Sequence, residues 1–278
     1  MKRGLIILKK VISIIICLGI VVAFYFLLKT SNSSDPKVAK TEPSSLLTPS
    51  LYEVMKPTDN TFFIEKRNTF TYNEKSLQYL LVFPVSYTQT TDRWPLILFL
   101  HGSSERGQDL NLVKNYGPSW LAEQREGFPF VVLAPQCPQE EEWADNPDIL
   151  VALLDDIFKK YRIDQDRVYL TGTSMGGKGT WYLASCHPEY FAAIAPLAAK
   201  PSIPDAWKKQ FISMPIWAFH GGRDPICPLK DDEAMINALR MQGGAPRLTI
   251  LPDQGHYIAG IYKNSELYDW FLTNIRQH

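Results

Sequence analysis

Polarity along the chain separates three unlike stretches. Residues 11–28 form an uncharged apolar run with no polar face, preceded by Lys2, Arg3, Lys9 and Lys10. Residues 30–50 are rich in Ser, Thr, Pro and Lys and show no apolar periodicity. From about residue 51 onward, short apolar runs alternate with amphipathic segments. The runs at 79–83, 96–100, 130–133, 168–171, 192–195, 216–219 and 248–251 include several continuous apolar stretches, as strands covered on both faces require. Between them, residues 147–161 set Ile149, Ala152, Leu153, Ile157 and Phe158 on one side and Asp155, Asp156 and Lys159 on the other, a helical period. Residues 177–186, 229–241 and 265–276 predict further helices, the second of them closed by Gly243-Gly244. Alternating strand and helix predicts an α/β domain with a mostly parallel central sheet and helices on both faces. Residues 62–84 hold no helical pattern and predict antiparallel strands at one edge of that sheet.

The N-terminal run changes where such a domain would sit. Its 18 residues would make a helix of about 27 Å, close to the ~30 Å hydrocarbon core of a bilayer. No small-residue cleavage site follows it, so an uncleaved transmembrane anchor is favoured over a cleaved signal segment, which would leave a secreted protein. Four basic residues before the run against Lys29 after it orient the N-terminus to the cytoplasm and the rest outside. The expected organisation is therefore a membrane anchor or signal segment at 1–28, a flexible tether at 29–50 and one globular domain at 51–278. A coil of the tether's length reaches roughly 25 Å, enough to hold a domain just off a membrane surface.

Charge and cysteine content narrow the picture further. The 278 residues balance 29 basic against 29 acidic side chains, which argues against a nucleic-acid partner, since phosphates demand a basic surface. Three cysteines, Cys137, Cys186 and Cys227, fall in the globular part. An oxidising compartment permits a disulfide among them, but the odd count leaves at least one thiol over and the pairing open.

Four predicted strand ends carry unusual chemistry. Gly172-Thr173-Ser174-Met175-Gly176 lies between a strand and a helix, the context of a nucleophile elbow that lifts a serine hydroxyl above a parallel sheet. Ser174 is the candidate nucleophile, and Met175 would offer its backbone N–H to an oxyanion at the positive end of the following helix. His101-Gly102-Ser103-Ser104 follows an earlier strand, where a second oxyanion donor is expected; the backbone N–H of Ser103 is the candidate, with His101 structural. Glu105 and Arg106 are expected to brace this loop as an ion pair. Asp224, in His220-Gly221-Gly222-Arg223-Asp224, is the candidate acid; Asp253 competes but sits only three residues before the candidate base. That base is His256, since it completes the chain order Ser…Asp…His and a histidine side chain is suited to taking and returning a proton near neutrality.

Taken with Ala134-Pro135-Gln136-Cys137-Pro138 and Trp143, these motifs resemble α/β-hydrolases of the carboxylesterase and "predicted peptidase" group, related to polyhydroxybutyrate depolymerase-like and feruloyl-type esterases. The resemblance spans about residues 96–257. It implies the α/β-hydrolase fold, a Ser174–Asp224–His256 triad, and oxyanion donors at Ser103 and Met175. It also sets Trp143 where this group lines its substrate pocket, although plain packing would account for that residue equally. Ser103-Ser104 departs from the smaller, glycine-containing pair that relatives carry there. The implied activity is cleavage of small-molecule or polymer-linked carboxylic esters, with no metal or organic cofactor. A peptidase or amidase with the same triad, or a hydrolase-fold binding module without catalysis, are the alternatives. The short 200–211 excursion leaves room for no more than a small lid.

Overall fold

A computed structural model of the chain describes residues 62–201, 203 and 212–277. The expected transmembrane helix, the tether and most of the 200–211 excursion lie outside those residues. No helix among the described residues is long and apolar enough to cross a membrane.

One sheet organises the described part. Its eight strands are β1 (Phe63–Tyr72), β2 (Lys75–Pro84), β3 (Trp94–Leu100), β4 (Val131–Gln136), β5 (Ile163–Thr173), β6 (Ala193–Leu197), β7 (Trp217–Gly221) and β8 (Arg247–Leu251), in the order β1-β2-β4-β3-β5-β6-β7-β8. β1 and β2 form the antiparallel edge expected from the lack of helix at 62–84. Asn73 and Glu74, both at positive φ, make the two-residue turn between them, whose backbone twist matches that of the flanking strands. β2 also runs antiparallel to β4, and every later pairing, β3·β4, β3·β5, β5·β6, β6·β7 and β7·β8, is parallel.

Among the described residues five helices cover the two faces: α1 (Gly117–Gln124), α2 (Pro147–Lys160), α3 (Met175–Cys186), α4 (Leu229–Met241) and α5 (Ser265–Thr273). Alternate strand residues feed opposite cores. Leu96, Leu98, Leu100, Leu133 and Leu170 pack with α2, α3 and α4, whereas Ile97, Phe99, Val132 and Tyr169 pack with α1 and α5. The continuous apolar strands are therefore the direct consequence of a sheet buried on both sides. α2 follows the expected period; Pro147 opens it without wasting a backbone donor, Asp148 lies in its first turn, and Lys159 and Lys160 complement the dipole at its last. α1 carries no sequence signal comparable to the others. Its eight residues start at Gly117, with φ +81, followed by Pro118, and only the packing of Leu121 and Ala122 on the sheet makes it a helix.

Leu98 is fully buried in β3, one of the two central strands. Leu98→Ala should lower the stability of the folded domain by about 3 kcal/mol, the usual cost of a cavity of that size. A urea unfolding midpoint unchanged from wild type would contradict the core described here.

Candidate active site

The turn between β5 and α3 creates the site's sharpest backbone feature. Ser174 has φ 57° and ψ −116°, a conformation that L-residues avoid, and its N–H is tied to the Leu197 carbonyl of β6 at 2.9 Å. Gly176 explains how the turn fits. A Cβ there would come 1.8 Å from the Leu100 carbonyl oxygen and 2.7 Å from that of His101, so only glycine lets α3 start against the end of β3.

That contact brings the loop after β3 beside the elbow. A methyl group on Gly102 would stand 3.7 Å from the Thr173 carbonyl. Ser103 begins a short 3-10 turn, Ser103–Glu105, and is exposed, while Met175 lies in the first turn of α3, where helix N–H groups have no intrahelical acceptor. The loop's shape is set by buried neighbours. Gly102 N–H donates to the Tyr116 hydroxyl at 2.8 Å, and that hydroxyl donates to Glu105 at 2.9 Å. Ser104 Oγ donates to the other oxygen of Glu105 at 2.5 Å. The ion pair expected between Glu105 and Arg106 is not formed; Arg106 donates to the Ser103 and Glu141 carbonyls instead. Burial and the nearby Glu105 charge push the Tyr116 hydroxyl's pKa far up, so it remains a neutral donor.

His101 is fully buried beneath this loop. Its Nε2 accepts the Cys137 N–H at 3.0 Å, which leaves Nδ1 to donate to the Gly102 carbonyl at 2.6 Å. Burial pulls its pKa down to about 4, so the ring is neutral. Trp143, expected at the substrate pocket, is only 1% exposed. Its indole N–H donates to the His101 carbonyl at 2.9 Å, its ring meets the His101 ring edge-on at 4.9 Å, and a Cβ on Gly179 of α3 would strike it at 2.5 Å. Trp143 thus wedges between the loop and α3, and its burial withholds it from any substrate at the surface.

Two further strand ends supply the partners of Ser174. His256, in the loop after β8, stands 2.7 Å from Ser174 Oγ through Nε2 and 2.7 Å from Asp224 Oδ2 through Nδ1. Asp224 follows β7, and its other oxygen accepts the N–H groups of Ile226 and Cys227, both at 2.8 Å. Burial would raise the Asp224 carboxyl's pKa, but hydrogen bonds from His256 and from these two amides outweigh it and hold the carboxyl below its ordinary value. Asp253, the competing acid, points to the surface and pairs with Arg223 at 2.7 Å. The two loops meet because Gly221 lacks a side chain; a Cβ there would lie 2.0 Å from the Gly255 carbonyl.

The structure therefore brings Ser174, His256 and Asp224 into one hydrogen-bonded chain. It sets Ser103 and Met175 in two segments packed against each other and places Trp143 behind them. Tyr116 and the loop contacts of Cys227 were not legible in the motifs, since neither residue belongs to a patterned segment. Among the described residues, one trio offers metal-type donors within 4.8 Å of one another, Asp224, Cys227 and His256, and two of its members are already engaged with each other. Cys137, Cys186 and Cys227 are all free thiols. Burial pushes Cys137 up to about 12 and Cys227 up to about 11, so both remain protonated near neutrality.

A strained serine elbow after the central strand of an eight-stranded, mostly parallel sheet defines an α/β-hydrolase. The dienelactone hydrolase family model matches residues 129–266, and the chain is similar to several esterases. A bifunctional acetylxylan esterase/xylanase of Neocallimastix patriciarum is 29% identical over 187 residues, covering 63% of this chain and 26% of its own length. The chain thus spans about a quarter of that curated relative. A thermostable esterase of known structure is 27% identical with a TM-score of 0.64, covering 77% of this chain and 63% of the other. The feruloyl esterase module of Clostridium thermocellum, complexed with sinapinate, superimposes with a TM-score of 0.65 at 15% identity, covering 87% of this chain and 99% of the module.

His101 links this site to acid stability. Its pKa in the folded state lies below its ordinary 6.5, so the stability of its neutral form is complete above pH 6.5 and drains away as the pH falls toward 4. Wild type should lose on the order of 2 kcal/mol from this group between pH 7.5 and pH 5. In His101→Gln that slope should flatten, as read from urea midpoints at the two pH values; parallel slopes for both proteins would refute the assignment.

Proposed function

We propose that the chain is a serine hydrolase that cleaves carboxylic esters through an acyl-enzyme, with Ser174 as nucleophile. The observation that carries this reading is the unbroken chain of hydrogen bonds from Ser174 Oγ through both ring nitrogens of His256 to Asp224, on a serine held at φ 57°. His256 Nε2 takes the Ser174 proton as Oγ attacks the carbonyl carbon of the ester. The negative charge passes to the former carbonyl oxygen, which accepts the N–H groups of Met175 and Ser103. The imidazolium, held by Asp224, then donates its proton to the departing alcohol oxygen as the C–O bond breaks. Water, deprotonated by the same His256, attacks the acyl-Ser174 ester and releases the acid. This route draws on no metal and no organic cofactor.

The surroundings and the relatives support one substrate class. Ile226 and Tyr257, next to the acid loop and the base, are 59% and 86% exposed, and Ser174 is half-buried. An open, partly apolar rim suits an ester displayed on a bulky or polymeric carrier. Acetylxylan and feruloyl esterases, by their names, act on such esters. The apolar run at 11–28 and the tether at 29–50 would hold this activity at the outer face of a membrane, or release it if the run is cleaved.

A fluorophosphonate probe should label the wild type and leave Ser174→Ala unmarked; equal labelling of both would remove Ser174 from the role. The same variant should lose on the order of 10⁶-fold in kcat on an activated acetyl ester, and Asp224→Asn about 10⁴-fold. A panel of acetyl and hydroxycinnamoyl esters beside matched amides ranks the substrate classes, and amide cleavage without ester cleavage would reassign the enzyme as an amidase. For the full chain expressed in cells, external protease should cut within residues 29–50, and complete protection would reverse the orientation.

A further inference from the structure

A second histidine–carboxylate pair lies behind Asp224. His220 ends in β7, and both it and Asp232, in the first turn of α4, are 0% exposed. His220 Nδ1 stands 2.6 Å from Asp232 Oδ2. His220 Nε2 faces the Cys227 carbonyl at 2.9 Å and Asp224 Oδ2 at 3.4 Å. The same Asp224 oxygen receives the His256 ring, so one carboxylate oxygen sits between two imidazoles.

The proton positions follow from the partners. A backbone carbonyl can only accept, so Nε2 of His220 must carry a hydrogen. One proton then remains to be placed between Nδ1 and Asp232. Burial lowers the ring's proton affinity, yet the bond to Asp232, the Cys227 carbonyl and the Asp224 charge together raise it above its ordinary value. Burial also lifts Asp232, against which the His220 bond and the Trp181 indole work. Both groups hold the shared proton firmly, and the second carboxylate, Asp224, breaks the tie in favour of the ring. With the proton on Asp232 instead, His220 would be neutral and the Asp224 carboxylate would face no cation from this side.

Resting on the proposed role of Ser174, we propose that His220 and Asp232 form a buried imidazolium–carboxylate pair that positions Asp224 and keeps it ionised. The chain of paired groups behind the serine then runs Asp232–His220–Asp224–His256–Ser174, with an ion-pair contact of 3.4 Å joining His220 to Asp224. His220 is a positioning residue, since it touches neither substrate nor reacting atoms. Its cationic end is nearer to Asp224 than its anionic partner is, so the pair presents a net positive field to Asp224 and, through it, to His256. Among the described residues, the other charged or titratable groups around the pair are Asp231, beside it on α4, Cys227 in the intervening loop, and Lys200, which acts on Cys227.

Two measurements on the full domain test this. Ring-nitrogen spectra of ¹⁵N-labelled wild type, with His220 assigned through Phe219 and Gly221, should show both nitrogens protonated up to pH 8. A bare Nδ1 at pH 7 would overturn the proposal, and this arm stands whether or not any variant folds. The second arm is the rate of fluorophosphonate labelling of Ser174 against pH, in wild type and in His220→Gln/Asp232→Asn, which removes both charges and leaves none buried alone. Loss of the positive field makes a cation behind Ser174 easier to form, so the acid limb of the double variant should move up by about half a pH unit, making labelling on that limb about threefold slower at a given pH. A merely structural pair would lower the melting temperature and leave the limb in place, and that result sinks the idea. If wild type fails to label at all, the Ser174 reading fails, and the nitrogen spectra still decide the charge of His220.

Discussion

The contact between Gly176 and the Leu100 carbonyl is the approach on which the rest of the site depends. It forces the start of α3 against the end of β3, and with it the elbow serine against the loop that carries Ser103. Ser174 can keep its unfavourable backbone conformation because the turn is clamped from both sides, by β3 across this contact and by the Leu197 carbonyl of β6. Strain of this kind, of order 1–3 kcal/mol, survives only where the surrounding structure over-determines it. Here the surroundings are the two central parallel pairings of the sheet, buried on both faces.

Around that clamp the polar groups are arranged in two buried networks with different tasks. Behind the loop that carries Ser103, His101, Trp143 and Tyr116 hold backbone groups of His101 and Gly102, and Glu105 accepts from the Tyr116 and Ser104 hydroxyls. Under the acid loop, Asp224 is supported by two amides, by His256 and by the His220–Asp232 pair. Buried polar groups of this sort are costly unless every donor and acceptor is met. The bonds that are met hold the His256 ring within 2.7 Å of both Ser174 and Asp224.

Much of the architecture was readable from the pattern of apolar positions. Each of the seven predicted strand runs falls within or against an observed strand, because a doubly covered strand must be apolar on both sides. The helices at 147–160 and 229–241 were equally clear, since each needs an apolar stripe and a solvated one. α1 was not legible: eight residues beginning Gly-Pro hold too few turns to display a period. The local motif could also point to Ser174, because the elbow's glycine requirement is written within five residues.

Other features depended on groups far apart in the chain. Asp224 and Asp253 are both acidic residues in loops near the base, and only the folded loops show that Asp224 meets His256 while Asp253 turns out to Arg223. Trp143 carried a pocket-lining expectation and is instead packed away by α3, a contact 36 residues distant at Gly179. His220 and Asp232 gave no sign of partnership, for a strand end and a helix face share no period. The sequence by itself determined which segments are strands and helices and where a strained serine must sit, since those follow from local sterics and from burial of apolar faces. The tertiary structure decided which acid, which histidines and which aromatic ring meet around that serine. Such meetings are set by how separate strand ends converge, a matter of angstroms that no local pattern encodes.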